Sequence, residues 1–235
     1  MESTYISLAE RAIEVHRKST LSRVIIALAG PPGSGKSTIA AEVVSLINRQ
    51  AGQCIAVALP MDGFHYPRAY LDALPNRAEA YSRRGAHWTF DAEGVLDLVK
   101  ALHSSRTSAR ATISAPSFDH ATKDPVEGGI VVDPNTQIVI IEGNWLLFDC
   151  DPWKQIKDYV DDTWFVDVDE DLALQRVASR HLRSGIEASW ESAFARASQN
   201  DLLNGKEIRR ALVKPSVVVR SIETPTTEKG LHRIR

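Results

Sequence analysis

Short apolar runs alternate with longer stretches of helical periodicity along this chain. Nearly continuous runs of Val, Ile and Ala are typical of parallel strands buried on both faces. Such runs predict strands at 23–29, 54–59, 137–141, 164–168 and 217–221. Helical spacing predicts helices at 36–50, 92–103, 172–184, 187–200 and 205–213. The alternation predicts an α/β fold, a doubly wound, mainly parallel five-stranded sheet flanked by helices.

The segment at 111–136, just before the third of these strands, fits a helical pattern poorly. Short strands at 111–115 and 129–132 around a loop are expected instead, as a small excursion from the main sheet. The simplest division is one domain over 1–235, with the excursion at about 63–135 and a mobile helical region at about 176–204.

Composition narrows the class of protein. With 43% hydrophobic and 25% charged residues and a net charge of −2, the chain resembles ordinary soluble proteins, and nothing favours nucleic acid or an anionic membrane as partner. The first residues form an amphipathic helix without the continuous apolar core of a signal peptide, and no apolar run approaches the roughly 18 residues of a membrane span. A cytoplasmic protein with two reduced cysteines is expected. Whether the first helix packs on its own domain or in a homodimer stays open.

The stretch "GPPGSGKST" spells the phosphate-loop pattern G-x-x-x-x-G-K-[ST] between a predicted strand and a predicted helix. Gly33 and Gly35 let backbone N–H groups turn inward at a helix N-terminus, which forms an anion site. Lys36 can reach the β- and γ-phosphates, and the Ser37 hydroxyl can bind Mg²⁺. The pattern therefore predicts ATP and Mg²⁺ as cofactors. The predicted nucleotide-binding residues are Gly30, Pro31, Pro32, Gly33, Ser34, Gly35, Lys36, Ser37 and Thr38.

Two acids follow strands predicted to share a sheet edge with this loop. Glu142 ends the strand "QIVII", where a carboxylate is suited to hold Mg²⁺; a solvent-facing acid is the alternative. Asp62 follows "CIAVAL" and is the candidate base that accepts the proton of an attacking hydroxyl; a turn aspartate is the alternative. His65 and Tyr66, next along the chain, are expected in the acceptor site.

The motifs "GPPGSGKST", "PMDGFHYP", "HWTFD", "APSFDH" and "IIEGNWLL" occur in an order that resembles the phosphoribulokinase/uridine kinase family over about 24–204. The branch it resembles holds type I pantothenate kinases and sugar-kinase-like and fungal kinase-like proteins. The resemblance implies the same roles for Asp62 and Glu142. It also implies that Asp91 binds acceptor hydroxyls, although Asp91 equally suits capping of the following helix.

Further acceptor-site and lid residues depend more on this resemblance. It places Phe118 and His120 facing the acceptor. Arg84 could bind an anionic acceptor group or lie in solvent. Arg176, Arg180 and Arg183 share one helix face by their spacing. A solvated basic face is the ordinary explanation, but the resemblance implies that Arg176 and Arg180 belong to a lid that closes over the triphosphate.

The hypothesis from sequence is an ATP-dependent kinase that phosphorylates an alcohol group of a small metabolite, with a nucleoside, pantothenate-like or sugar-like acceptor. Lys36, Asp62, Arg176 and Arg180 are its predicted catalytic residues, and Ser37 and Glu142 its metal ligands. The alternative is a catalytically silent nucleotide-binding regulator of the same fold. A pure binder has no need of Asp62 or Glu142.

Overall fold

Five parallel strands form the central sheet in the order β2–β5–β1–β6–β7. The computed structural model describes residues 1–107, 112–119 and 121–223. The α/β sheet expected from the sequence is confirmed, with all five strands at the expected places. The strands are β1 (Val24–Ala29), β2 (Ala56–Pro60), β5 (Ile138–Gly143), β6 (Asp162–Val168) and β7 (Val217–Ser221).

Helices cover both faces of this sheet. Those described are α1 (Glu2–Lys18), α2 (Lys36–Ala51), α3 (Arg68–Asp72), α4 (Arg77–Ser82), α5 (Ala92–Ser104), α6 (Glu170–Arg183), α7 (Trp190–Arg196) and α8 (Leu202–Arg210). Short 3₁₀ segments lie at Met61–Phe64, His87–Thr89 and Trp153–Tyr159. No helix within residues 1–107, 112–119 and 121–223 is both long and apolar enough to cross a bilayer.

The pleat of β1 divides the core into two layers. Ile25 and Ala27 face a cluster that includes α5, whereas Ile26 and Leu28 face α1 and α2. Alternate side chains of a strand point to opposite faces, so a strand covered on both sides is apolar throughout. The first helix thus packs on its own sheet, and Arg11 of this helix donates to Asp162 at 2.7 Å.

The excursion between α5 and β5 is an antiparallel hairpin of β3 (Ile113–Asp119) and β4 (Asp124–Val132). It is longer than the two short strands expected, and Ala111 of the first lies outside the described residues. The hairpin packs closely on the turn after β2. A Cβ on Gly63 would lie 2.1 Å from the Pro116 carbonyl oxygen, so only glycine permits this contact.

Several predicted boundaries need adjustment. Strand β6 begins at Asp162, not at 164, and the helix expected at 205–213 is α8, which ends at Arg210. Strand β2 begins at Ala56, not at 54, because the Asn48 side chain accepts hydrogen bonds from the N–H groups of Ile55 and Ala56. The helix expected at 187–200 is shorter. It begins at Trp190 under a Ser189 capping box and passes at Ala197–Asp201 into a π-helical turn, which continues as α8. Cys54 and Cys150 are free thiols, as expected, and both are exposed.

Candidate active site

The phosphate loop connects β1 to α2 with the backbone that its glycines predict. Gly33 and Gly35 have φ values of 79° and 83°, and Lys36 is the first residue of α2. L-residues rarely adopt such φ values, whereas glycine does so without strain. A Cβ on Gly33 would also lie 2.7 Å from the Ala173 carbonyl oxygen of α6. Helix α6 therefore packs directly on the loop.

A cavity of about 430 Å³ opens at this loop. Arginines of α6, the end of β7 and the start of α1 complete its wall. Arg176 joins these parts: it donates to the Gly33 carbonyl at 3.2 Å, to Ser221 Oγ at 2.8 Å and to the Ile222 carbonyl at 2.9 Å. The loop residues in the lining are Gly33, Ser34, Gly35, Lys36, Ser37 and Thr38, while Gly30, Pro31 and Pro32 are buried at the base of the loop.

The two predicted acids lie on the same sheet edge as the loop. Glu142 pairs with Leu28 of β1 on one side and with Pro60 of β2 on the other. Asp62 comes two residues after Pro60, so both carboxylates follow strands that end beside the phosphate loop. This is the rim where open parallel sheets bind ligands.

Charges at this rim act on one another. Burial raises the pKa of Glu142, and the nearby Asp62 charge adds to this, while Lys36 and the Ser37 hydroxyl oppose it. Although part of the Lys36 side chain is accessible, desolvation lowers its pKa, against the charges of Glu142 and Asp62. Arg180 acts on both groups. The structure thus brings the predicted base, metal ligand, lysine and lid arginine together.

Ser37 and Glu142 suit a divalent cation. Ser37 Oγ donates to Glu142 Oε1 at 2.8 Å, so two oxygen ligands already adjoin each other. Glu142 is only 7% exposed, and a buried carboxylate favours a neighbouring cation. The part of the chain that the structure describes holds no group of three or more acidic, His or Cys side chains around one point. Mg²⁺ usually takes one or two carboxylates and completes its shell with phosphate and water, and Ser37 and Glu142 supply oxygen ligands of that kind.

Residues after Asp62 form an aromatic wall beside it. His65 Nδ1 lies 2.8 Å from the Asp62 carbonyl oxygen, so Nδ1 carries a proton, because a carbonyl can only accept. The His65 ring lies 4.0 Å from Phe90 and 5.0 Å from Phe118 between centroids. Tyr66 stacks on Tyr70 at 4.2 Å, and burial raises its pKa. The predicted residues His65 and Phe118 thus lie side by side in this wall, whereas the Tyr66 ring stacks on Tyr70.

The remaining predicted acceptor residues lie around this wall. Asp91 Oδ1 accepts the N–H of Gly94 at 3.0 Å, so it caps α5, the alternative weighed from the sequence. Arg84 Nη2 donates to the Tyr66 carbonyl at 3.1 Å, and its guanidinium lies over the Phe118 ring. Arg84 is therefore not a solvated side chain; 13% of it is exposed. His120 lies outside the described residues.

Asp201 is a site residue that the sequence did not reveal. It ends the π-helical turn, and its carboxylate lies 4.0 Å from Arg180 Nη2 and 3.6 Å from His181 Nε2. Burial raises the pKa of Asp201 to about 6, although the positive charges of Arg180, Arg196 and Lys36 act to lower it. Burial, and then the charges of Arg180 and Arg196, lower the pKa of His181 to about 4. The His181 imidazole is therefore neutral at neutral pH, and its contact with Asp201 is not an ion pair. π-Helical turns inside α-helices are frequent at functional sites.

The fold and the loop define a P-loop nucleotide-binding protein, and comparisons with known proteins narrow this class. The profile described as "Phosphoribulokinase / Uridine kinase family" matches residues 25–190. A Schizosaccharomyces pombe protein named "Putative uridine kinase" is 39% identical over 226 residues, which cover 96% of this chain and 94% of that protein. The "ATP-dependent kinase YFH7" of Lachancea thermotolerans is 34% identical over 82% of this chain and 63% of its own length.

A solved structure agrees with these matches. The structure of YFH7 from Saccharomyces cerevisiae superposes with a TM-score of 0.83 at 25% identity, over 92% of this chain and 98% of that one. This chain belongs to the phosphoribulokinase/uridine kinase family of P-loop kinases. The family resemblance inferred from the motifs is confirmed, and with it the expectation of a kinase fold.

Proposed function

We propose that this protein is an ATP- and Mg²⁺-dependent kinase that transfers the γ-phosphate to an alcohol group of a small metabolite, with a nucleoside-like, pantothenate-like or sugar-like acceptor. The observation that carries the proposal is the convergence of Asp62 and Glu142 on Lys36 at one edge of the sheet. A nucleotide-binding regulator needs neither acid. The convergence therefore favours phosphoryl transfer over the silent alternative.

Each of these residues has a distinct task in the proposed reaction. The loop N–H groups and Lys36 hold the phosphates, and Ser37 with Glu142 would hold Mg²⁺. Magnesium neutralises charge on the phosphate oxygens when bound. Asp62 accepts the proton of the acceptor hydroxyl and aligns its oxygen with the γ-phosphate. Most of the acceleration comes from positioning and charge stabilisation.

Lid residues complete the proposed site. Arg180 faces Lys36 and Glu142 with 57% of its side chain exposed, so it is free to follow the transferred phosphoryl group. Arg176 is already bound to the loop and the end of β7, which suits holding the lid helix against the nucleotide. We therefore propose that the lid at about 176–204 closes over the nucleotide while Arg176 stays bound to the phosphate loop. Its helices have a small core of their own, made of Val177, Ala178, Ala193 and Ala197.

The Asp62→Asn variant tests this proposal. It keeps the shape of the side chain but cannot accept the proton, so turnover should fall by about 10²- to 10⁴-fold. ATP affinity should stay within about twofold, because Asp62 lies on the acceptor side. The measurement is acceptor-dependent ADP release, with nucleotide affinity from titration calorimetry. The control is Asp97→Asn, an exposed acid on α5. Undiminished turnover in Asp62→Asn would contradict the assigned role.

A further inference from the structure

Buried polar atoms without a hydrogen-bond partner gather around the turn at residues 83–85. Leaving a buried polar group without a partner is costly, so several such groups in one place need a reason. Asn200, 5% exposed, donates from Nδ2 to the Arg84 carbonyl at 3.0 Å, but its Oδ1 has no partner. Within residues 1–107, 112–119 and 121–223, the atoms of this set that belong to the turn or to Asn200 are Arg83 Nη1, Arg84 Nε and Asn200 Oδ1.

Trp145, just after β5, contacts the same turn. Its Nε1 donates to the Gly85 carbonyl at 2.9 Å. Glu142 lies three residues before Trp145 on the same segment. The turn is therefore joined to the edge of the proposed active site, close in sequence to the proposed metal ligand.

The turn also carries more positive than negative charge. Arg83 Nη2 donates to the neutral side chain of Asn204 at 2.8 Å, and Arg83 has no ion pair with any described residue. Arg84 has one carboxylate partner among the described residues, Asp124, whose Oδ1 lies 3.4 Å from Arg84 Nη2. Burial lowers the pKa of Arg84 more than Asp124 restores it. Enclosed guanidinium groups short of carboxylates are costly unless a ligand supplies the anion.

The positive turn lies within reach of the proposed base. The Arg84 guanidinium is 5.7 Å from the centre of the Phe118 ring, and that ring is 5.0 Å from His65. His65 in turn contacts the Asp62 backbone. A small molecule with a hydroxyl at Asp62 could therefore extend along this aromatic wall to the arginines.

We infer that the acceptor carries an anionic group, a carboxylate or a phosphate, which binds between Arg83 and Arg84. Oxygens of such a group accept from the unpaired nitrogens, one on each guanidinium, in charge-assisted hydrogen bonds. A hydroxyl beside the anion donates to Asn200 Oδ1. The acceptor class is thus a small hydroxy acid or sugar phosphate, not a neutral nucleoside. This inference rests on the proposed kinase function.

The test compares acceptors that differ in charge, including glycerate, erythronate and gluconate, whose carbon chains match those of the neutral acceptors glycerol, erythritol and glucitol. The acids are glycerate, erythronate, gluconate and pantothenate; the phosphates are glycerol 3-phosphate and ribose 5-phosphate; the neutral acceptors are glycerol, erythritol, glucitol and uridine. Each is assayed for ADP release with saturating Mg-ATP, and for stabilisation of the protein in a thermal-shift assay with a non-hydrolysable ATP analogue. The full chain is used throughout, as wild type, Arg83→Gln, Arg84→Gln and the control Arg77→Gln, whose exposed side chain pairs with Asp72.

Acids or phosphates should be phosphorylated in preference to their neutral partners. The KM for the best anionic acceptor should rise about 10- to 100-fold in Arg83→Gln and Arg84→Gln, as expected on loss of a hydrogen bond to a charged group. Arg77→Gln should leave this KM unchanged, and all three variants should keep wild-type ATP affinity, which shows that they fold. The acid and phosphate arms distinguish the two anions.

Two results would overturn the inference in different ways. Preferred transfer to a neutral acceptor, unchanged in Arg84→Gln, would refute the anion subsite and leave the kinase function standing. Absence of transfer and of stabilisation by any acceptor, with ATP still bound, would count against both the subsite and the proposed function.

Discussion

The Asp201→Asn substitution should change how the stability of this protein depends on pH. In the folded chain the pKa of Asp201 is about 6, raised by burial from the ordinary value of 3.8. Between these two values the folded chain keeps a proton that the unfolded chain has released. The free energy of unfolding therefore falls as pH rises through this window, because ionised Asp201 is less stable in the folded chain.

The size of the effect follows from the shift in pKa. A difference of roughly two pKa units corresponds to about 3 kcal/mol lost in total as the pH rises from below 4 to well above 6, of which about 2 kcal/mol is lost between about pH 4.5 and 7.5. Asparagine cannot ionise, so Asp201→Asn should gain about 2 kcal/mol on wild type across this range. Groups that face Asp201 are Arg180, His181, Arg196 and Lys36. The pKa of His181 is lowered to about 4, so its own contribution has the opposite sign, and it is shared by both proteins.

Urea unfolding of the full chain, followed by tryptophan fluorescence over this pH range, measures the difference. The matched control is Asp97→Asn, which removes an acid of α5 whose side chain is 75% exposed. A difference between Asp201→Asn and wild type that does not change with pH would refute the assignment of a raised pKa to Asp201.

Three further substitutions test other parts of the structure. In Glu142→Gln, the loss of charge should raise the Mg²⁺ concentration for half-maximal ADP release by at least about tenfold; an unchanged requirement would argue against a metal ligand. In Arg176→Ala, the loss of bonds to the phosphate loop and β7 should weaken ATP binding about tenfold by calorimetry, and an unaltered affinity would show that this link is not needed. In Gly63→Ala, the new Cβ would lie 2.1 Å from the Pro116 carbonyl, which should lower the free energy of unfolding by about 1–3 kcal/mol; unchanged urea stability would show that the hairpin yields without cost.

Most of the fold could be predicted because its signals are local. Buried parallel strands are nearly continuous apolar runs, and β1 is fully buried along its length. The phosphate loop needs glycines where φ is positive and a lysine at a helix start, which a short stretch of sequence states directly. Asp62 and Glu142 could be proposed as partners because parallel strands end at a shared edge. Boundaries were less predictable, since side chains such as Asn48 and Ser189 set them through particular hydrogen bonds.

The sequence by itself therefore determined the sheet, the phosphate loop and the two acids beside it. Tertiary structure alone decided which distant residues meet there. Asn200 and Asp201 reach the site because a π-helical turn redirects the chain, and Arg83 lies beside Asn204 although 121 positions separate them. Burial then sets how these groups behave: the raised pKa of Asp201 and the unpaired guanidinium nitrogens of Arg83 and Arg84 exist only once water is excluded. Desolvation depends on what surrounds a group in space, and no spacing along the chain encodes it.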